Sequence, residues 1–202
     1  MAANSKAANR HARDETDRDR LHALICEKSF RHGVEIKLAS GKTSNFYFNM
    51  KPTMMDAEGA ALLGRLLFER IAAHGADLAG GVAVGSVPLV SFIIQASALG
   101  AQPLDGIFIR AQAKDHGTQM NIEGLADTVS IDGKRVIMIE DATTTGGSVL
   151  RAIGIIRASG GIVDRVITVV DRLEGATGIL AAEGIELEAI FTATDFLPAG
   201  AA

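Results

Sequence analysis

The sequence predicts an α/β domain built on a central parallel sheet with helices on both faces. Three observations carry that expectation. From Asp56 onward, short apolar runs suited to buried strands alternate with longer stretches at helical spacing, the chain order of repeated βα units. The run Val136-Ile137-Met138-Ile139 is apolar at every position rather than at alternate ones, as a strand covered on both faces requires. At the end of that run two adjacent carboxylates, Glu140 and Asp141, lead straight into the turn Thr143-Thr144-Thr145-Gly146-Gly147, and Ser148-Val149-Leu150-Arg151 then opens a helical pattern.

Taken in order, residues 1–14 lack apolar periodicity and are expected to form a mobile tail ahead of a single domain over 15–202. A helix follows from Glu15 to Ser29, with Leu21, Leu24 and Ile25 on one face. Val34 to Leu38 and Phe46 to Met50 read as two strands flanking the turn Ser40 to Ser44, a hairpin outside the main sheet. Residues 15–55 thus form a hood over a core of about 56–195. In the core, a helix from Asp56 to His74, closed by Gly75, precedes a strand at Gly81 to Val84 and a helix at Pro88 to Leu99. Strands at Gly106 to Ile109, Val136 to Ile139, Arg165 to Val170 and Glu186 to Phe191 come next, with helices at Gly146 to Ser159 and Ala176 to Glu183 between the later ones. Helices on both faces follow from the parallel order, and ligands of such sheets sit beyond the strands' carboxyl ends.

Composition narrows the class. With 202 residues, 48% of them hydrophobic, the chain can bury one full core. A net charge of −4 and 4% aromatic content disfavour non-specific nucleic-acid binding. The single cysteine, Cys26, has no internal disulfide partner, and no Cys/His spacing resembles a zinc site. A reducing, cytoplasmic setting is expected, with no signal peptide in the polar first twenty residues. Leu78 to Leu104 is free of charge and long enough to span a bilayer, but Pro88 and four glycines divide it into strand, turn and helix, so a membrane span is rejected.

The turn from Ala142 to Ser148 suits a small phosphate monoester. Amide groups and the positive end of a helix dipole gather where strand meets helix, glycine lets an anion approach, and threonine hydroxyls donate to it. A triphosphate loop needs a lysine after its glycines, and none is present. Glu140 and Asp141 suit ribose hydroxyls and, through them, a hard cation such as Mg²⁺. Between Arg110 and the Val136 strand lies a polar connection of about twenty residues, long where two to six are usual. It places Arg110, Lys114 and His116 close together, with Gly117 to let the chain bend: a cationic arm able to close over negative charge on a leaving group.

At this point the motifs resemble a family. IEDATTTGGS is similar to the phosphoribosyl-pyrophosphate (PRPP) motif of type I phosphoribosyltransferases. RAQAKDHGTQMNIEG resembles the R-K-x-x-K-x-H-G loop of the orotate phosphoribosyltransferases, LASGKTSNFYF their N-terminal segment, and VVDRLEGA their V-x-D-R-x-E-G strand end. The resemblance covers Leu38 to Ala176. It implies the type I fold and a Mg²⁺-dependent transfer of the 5-phosphoribosyl group from PRPP to orotate. By resemblance, Glu140 and Asp141 bind the ribose, with Asp141 also stabilising the cationic ring, and Ala142, Thr143, Thr144, Thr145, Gly146, Gly147 and Ser148 hold the 5′-phosphate. Thr144 and Arg172 meet orotate, and Tyr47 and Phe48 line its pocket. Arg110, Lys114 and His116 close over the pyrophosphate, which also meets the turn Gly85-Ser86. Mg²⁺ is held mainly through PRPP, with no direct protein ligand. A homodimer sharing its 110–124 loops is implied as well. The chain departs from the pattern at Ala39 and Ala111 and in the Val84-Gly85-Ser86-Val87-Pro88 turn, where members of the family carry lysine. Two alternatives stay open: a phosphoribosyltransferase for a purine or other base, and a PRPP-sensing regulator that binds nucleic acid or protein.

Overall fold

A computed structural model of the chain describes residues 16–37, 43–100, 102–110, 121–126 and 128–198. Helix α1 occupies residues 16–28. It buries Leu21, Leu24 and Ile25, the face its spacing marks out. The hairpin strands are β1 (Phe30–Lys37) and β2 (Thr43–Phe48), antiparallel, with Phe30 opposite Phe48. Both begin earlier than the apolar pattern suggests, because pairing across a hairpin recruits polar residues such as Thr43 and Ser44. The hairpin turn from 38 to 42 and the tail lie outside the described residues.

A short helix not anticipated from the sequence, α2 (Lys51–Met54), follows with Pro52 in its first turn. Ser29 ties α1 to it, its hydroxyl 2.6 Å from that of Thr53. Helix α3 (Ala57–His74) has the bounds its signals indicate. Asp56 caps it by accepting from the amides of Glu58 and Gly59, and Gly75 closes it at φ +68°.

The remaining elements are β3 (Leu78–Val82), α4 (Val87–Leu99), β4 (Asp105–Ile109), β5 (Ile122–Glu123), β6 (Val136–Thr143), α5 (Gly147–Ala158), β7 (Arg165–Asp171), α6 (Ala176–Ala182) and β8 (Glu186–Thr192). The uncharged segment from Leu78 thus divides into strand, turn and helix, and no helix among the described residues is long and apolar enough to cross a membrane. The six-stranded sheet runs β5-β4-β3-β6-β7-β8. Its five long strands are parallel and β5 pairs antiparallel with β4, so the sheet is mixed rather than purely parallel. From β3 the chain steps outward to β4, then returns past β3 to β6. That reversal opens a crevice between β3 and β6 at their carboxyl ends.

Alternation along β6 feeds both cores. Ile137 and Ile139 join α1, α3, α4 and the hood on one face; Val136 and Met138 join α5 and α6 on the other. Helices α3 and α4 pack closely at Gly64 of α3, where an added Cβ would stand 2.8 Å from the carbonyl oxygen of Phe92 in α4. Replacing Gly64 with valine must push the two helices apart and should destabilise the fold by about 2 kcal/mol in urea unfolding. An unchanged midpoint would contradict this packing.

Candidate functional site

The site forms around the switch point. Strand β6 runs on past its apolar stretch to Thr143, so Glu140 and Asp141 lie within the strand rather than beyond it. Pairing with β7 extends it: Ala142 aligns with Val170 and Thr143 with Asp171. The turn after β3 meets the acid pair from the other side. A Cβ built on Gly85 would lie 3.6 Å from one carboxylate oxygen of Asp141 and 3.7 Å from the other, so the glycine leaves open space directly above that carboxylate. Ser86 is buried, donates its amide to the carbonyl of Val82 at 3.1 Å, and starts α4 without a side-chain cap.

Beyond Thr143 the chain enters α5 through Gly146, whose φ of +76° strongly favours glycine. The helix has no side-chain cap and no acidic residue in its first turn, leaving its amide end open to an outside anion. Thr143 is buried, and its hydroxyl finds no hydrogen-bond partner among the described residues. Thr145 and Ser148 are exposed.

Arg172 stands at the end of β7, 6% exposed. Its amide donates to the carbonyl of Thr143 at 2.9 Å, fixing it beside the β6 end. Asp171 accepts from the amide of Leu173 at 2.9 Å, and Leu173 turns the chain at φ +59°. The guanidinium lies 2.7 Å from Glu174 and 5.1 Å above the ring of Phe46, while its Nε makes no hydrogen bond among the described residues. An arginine stacked on one aromatic face with donors to spare is suited to a flat carboxylate-bearing ring.

Not every sequence-expected residue falls here. Phe48 is 6% exposed and packs against Phe30 and Phe196 in the core, and Tyr47 points the opposite way along β2. Phe46 is the hood residue that meets Arg172. Strand alternation held this signal, since Phe46 and Phe48 share one face and only the residue nearer the sheet's end reaches the crevice. Arg110 is engaged by Glu123 across β4 and β5, its Nη2 donating at 3.2 Å, and this partner raises its pKa. Lys114 and His116 lie outside the described residues.

Glu140 carries the strongest electrostatic perturbation. Burial, and secondarily the neighbouring Asp141, push its pKa from 4.5 up to about 8, and one of its oxygens has no hydrogen-bond partner among the described residues. Donors supplied by a ligand, such as vicinal hydroxyls, would relieve that. No group of three or more His, Cys, Asp or Glu among the described residues can enclose a metal. The two carboxylates fit a hard cation carried by a ligand better than one caged by protein.

Residues 58–187 match the phosphoribosyl transferase domain. The chain is 47% identical over 180 residues to orotate phosphoribosyltransferase of Rhodopseudomonas palustris, covering 89% of this chain and 96% of that one. Among solved structures, orotate phosphoribosyltransferase of Mycobacterium tuberculosis in complex with Fe(III) dicitrate is similar at a TM-score of 0.76 and 34% identity, covering 89% of this chain and 98% of that one. The complex of the Mycobacterium tuberculosis enzyme with PRPP matches at 0.72 and 30% identity, with coverage of 89% and 98%.

A carboxyl group with a raised folded pKa ionises first in the unfolded chain. Glu140 therefore leaves stability untouched below pH 4.5 and lowers it progressively as pH rises toward 8. Glu140→Gln should gain on the parent by about 1 kcal/mol per pH unit across that window, measured as unfolding free energy in urea. Parallel pH profiles for the two proteins would refute the burial argument.

Proposed function

The chain belongs to the orotate phosphoribosyltransferases, within the phosphoribosyltransferase family, and on that premise we propose how its residues move the 5-phosphoribosyl group of PRPP onto orotate. The products are orotidine 5′-monophosphate and pyrophosphate, a step of de novo pyrimidine synthesis. One observation supports the assignment most: the reversal of strand order brings the Gly85 turn, the Glu140–Asp141 pair and buried Arg172 to one crevice. The runner-up, a sugar-phosphate sensor that binds nucleic acid, finds no support in a net charge of −4.

In this reading the amides and hydroxyls from Ala142 to Ser148 hold the 5′-phosphate, with Thr143 supplying its unpartnered hydroxyl. Glu140 and Asp141 accept from the ribose hydroxyls, which returns Glu140 to its ionised form. Arg172, flanked by Phe46 and Glu174, holds the carboxylate of orotate, and Thr144 reaches the same base. The C1–O bond of PRPP breaks with its electron pair leaving on pyrophosphate, and a ring nitrogen of orotate donates its pair to C1 and releases its proton, which the departing pyrophosphate can take up. Asp141 faces the positive charge that grows on the ribose ring between those events. At the Gly85-Ser86 turn the amide of Gly85 offers a donor to the departing pyrophosphate, that of Ser86 being engaged by Val82. Arg110, Lys114 and His116 cover it from the 110–124 loop, an assignment that rests on the resemblance of that loop.

Mg²⁺, bound through PRPP, would supply charge neutralisation at the diphosphate. We place the loop in the neighbouring subunit's site of a homodimer. We seat the second copy on the surface of α3 and α4: α4 has no charged residue, Leu99 is 85% exposed, and a groove of about 1030 Å³ between the helices is lined by Phe68, Phe92 and Leu99 together with the polar Arg65, Glu69 and Gln95. The compartment proposed is the cytoplasm.

Purified protein with Mg²⁺, PRPP and orotate should deplete orotate's ultraviolet absorbance; tight PRPP binding without turnover would favour the sensor. Arg172→Ala should raise KM for orotate about 100-fold, the worth of a desolvated charge-assisted pair, and leave KM for PRPP within about threefold. Equal rises in both constants would remove Arg172 from the base pocket.

A further inference from the structure

We propose that Arg151, on the second turn of α5, is a binding residue for the 5′-phosphate. The inference rests on the reading above, in which the turn from Ala142 to Ser148 holds that group, and adds to it a charge that neither the motif nor the resemblance assigns. A cation is poorly placed near a helix N-terminus, where the dipole is positive and acidic side chains are favoured. Yet α5 has no acidic residue in its first turn, and Arg151 lies only four residues beyond its first. With nothing to bind, this end of the helix would carry uncompensated positive charge from both sources.

Arg151 also turns back toward the loop. Its Nη2 donates to the hydroxyl of Ser148 at 3.3 Å. A Cβ built on Gly147 would stand 3.7 Å from Nη1 of Arg151 and 3.8 Å from the hydroxyl oxygen of Thr145. A guanidinium and a hydroxyl thus both stand close to the bare backbone of Gly147, at the uncapped first residue of α5. No carboxylate among the described residues lies within 4 Å of Arg151, whereas Arg110, Arg135, Arg165 and Arg172 each have one. The buried, unpartnered hydroxyl of Thr143 at the same strand end is a second donor without an acceptor. Hydroxyls, amides and one fork of N–H donors around a glycine match a phosphate dianion, for which arginine is the better cation because it offers two parallel donors.

Two inhibitors that share nothing but their competition with PRPP separate this role from a general one. Ribose 5-phosphate carries the 5′ end of the substrate; pyrophosphate carries the other. In Arg151→Ala, inhibition by ribose 5-phosphate should weaken about tenfold, with KM for PRPP rising in parallel, while inhibition by pyrophosphate stays within twofold and kcat within threefold. Arg151→Lys should recover part of the loss, since it keeps the charge but not the fork. Calorimetric titration of ribose 5-phosphate gives the same comparison without turnover. An active parent whose ribose 5-phosphate inhibition is unmoved by Arg151→Ala, or whose two inhibitors weaken together, overturns the assignment of Arg151 alone. A parent that turns over no orotate, or that ribose 5-phosphate does not inhibit, overturns the reading on which it rests.

Discussion

The rest of the molecule is arranged around two adjacent carboxylates at the end of a strand that has no free face. Glu140 is held where burial and Asp141 both oppose its ionisation, with an oxygen left unpartnered among the described residues. A folded domain gains nothing in stability from this arrangement. It persists because the neighbouring strands dictate it: β3 holds β6 as far as Ile139, β7 alone carries it on to Thr143, and the return of the chain past β3 leaves the acids facing the crevice. On the proposed reading, the hydroxyl donors of a ribose are what such a pair lacks, so the destabilisation it causes converts into affinity for the sugar.

Much of this was legible in the sequence, and the exceptions share a cause. Helix α3 reads directly because its stop signals are local: Asp56 caps within three residues and Gly75 closes the last turn. The apolar run of β6 and the glycine turn after it read equally well. What local signals do not reveal is where a strand ends when its neighbour decides. Glu140, Asp141 and Ala142 are strand only because β7 lies alongside. The sheet's antiparallel edge has the same origin, since Ile122 and Glu123 become a strand only by lying against Phe108 and Ile109. The aromatic contact to Arg172 likewise depends on how the hood sits on the core: alternation puts Phe46 and Phe48 on one face, but only the docked hood decides that Phe46, rather than the expected Tyr47 and Phe48, meets Arg172.

Charge is distributed unevenly over the crevice. Ala39, Ala111 and the Gly85-Ser86 turn carry no lysine, and Arg110 is occupied by Glu123, so the end of the crevice assigned to diphosphate relies on backbone amides together with the 110–124 loop. The α5 end is the reverse, with open amides, three hydroxyls and an arginine free of carboxylates among the described residues. On the proposed reading, an enzyme so built holds its sugar substrate chiefly by the part that does not change during the reaction. Uniform binding of that kind lowers KM without raising kcat, and leaves the rate to groups that act on the leaving group.

With Arg172 in its proposed role, base recognition is coupled to the packing of the hood. Arg172 comes from the core sheet and Phe46 from the hairpin, and neither alone makes a slot for a flat ring. Their separation is held by an aromatic cluster some distance from the crevice. Phe48 lies 4.9 Å from Phe30 and 5.1 Å from Phe196, and His22 of α1 stacks on Phe196 at 4.5 Å. Phe196 follows β8, so the C-terminal segment of the domain pins the N-terminal hood to the sheet. The hydroxyl contact of Ser29 with Thr53 holds the other side. Loosening of this cluster would therefore reach the base before the sugar, because Glu140, Asp141 and the glycine turn belong to the core alone. On the proposed reading, the two substrates are thus held by parts of the chain with different stabilities, the base by a docked accessory and the sugar by the sheet itself.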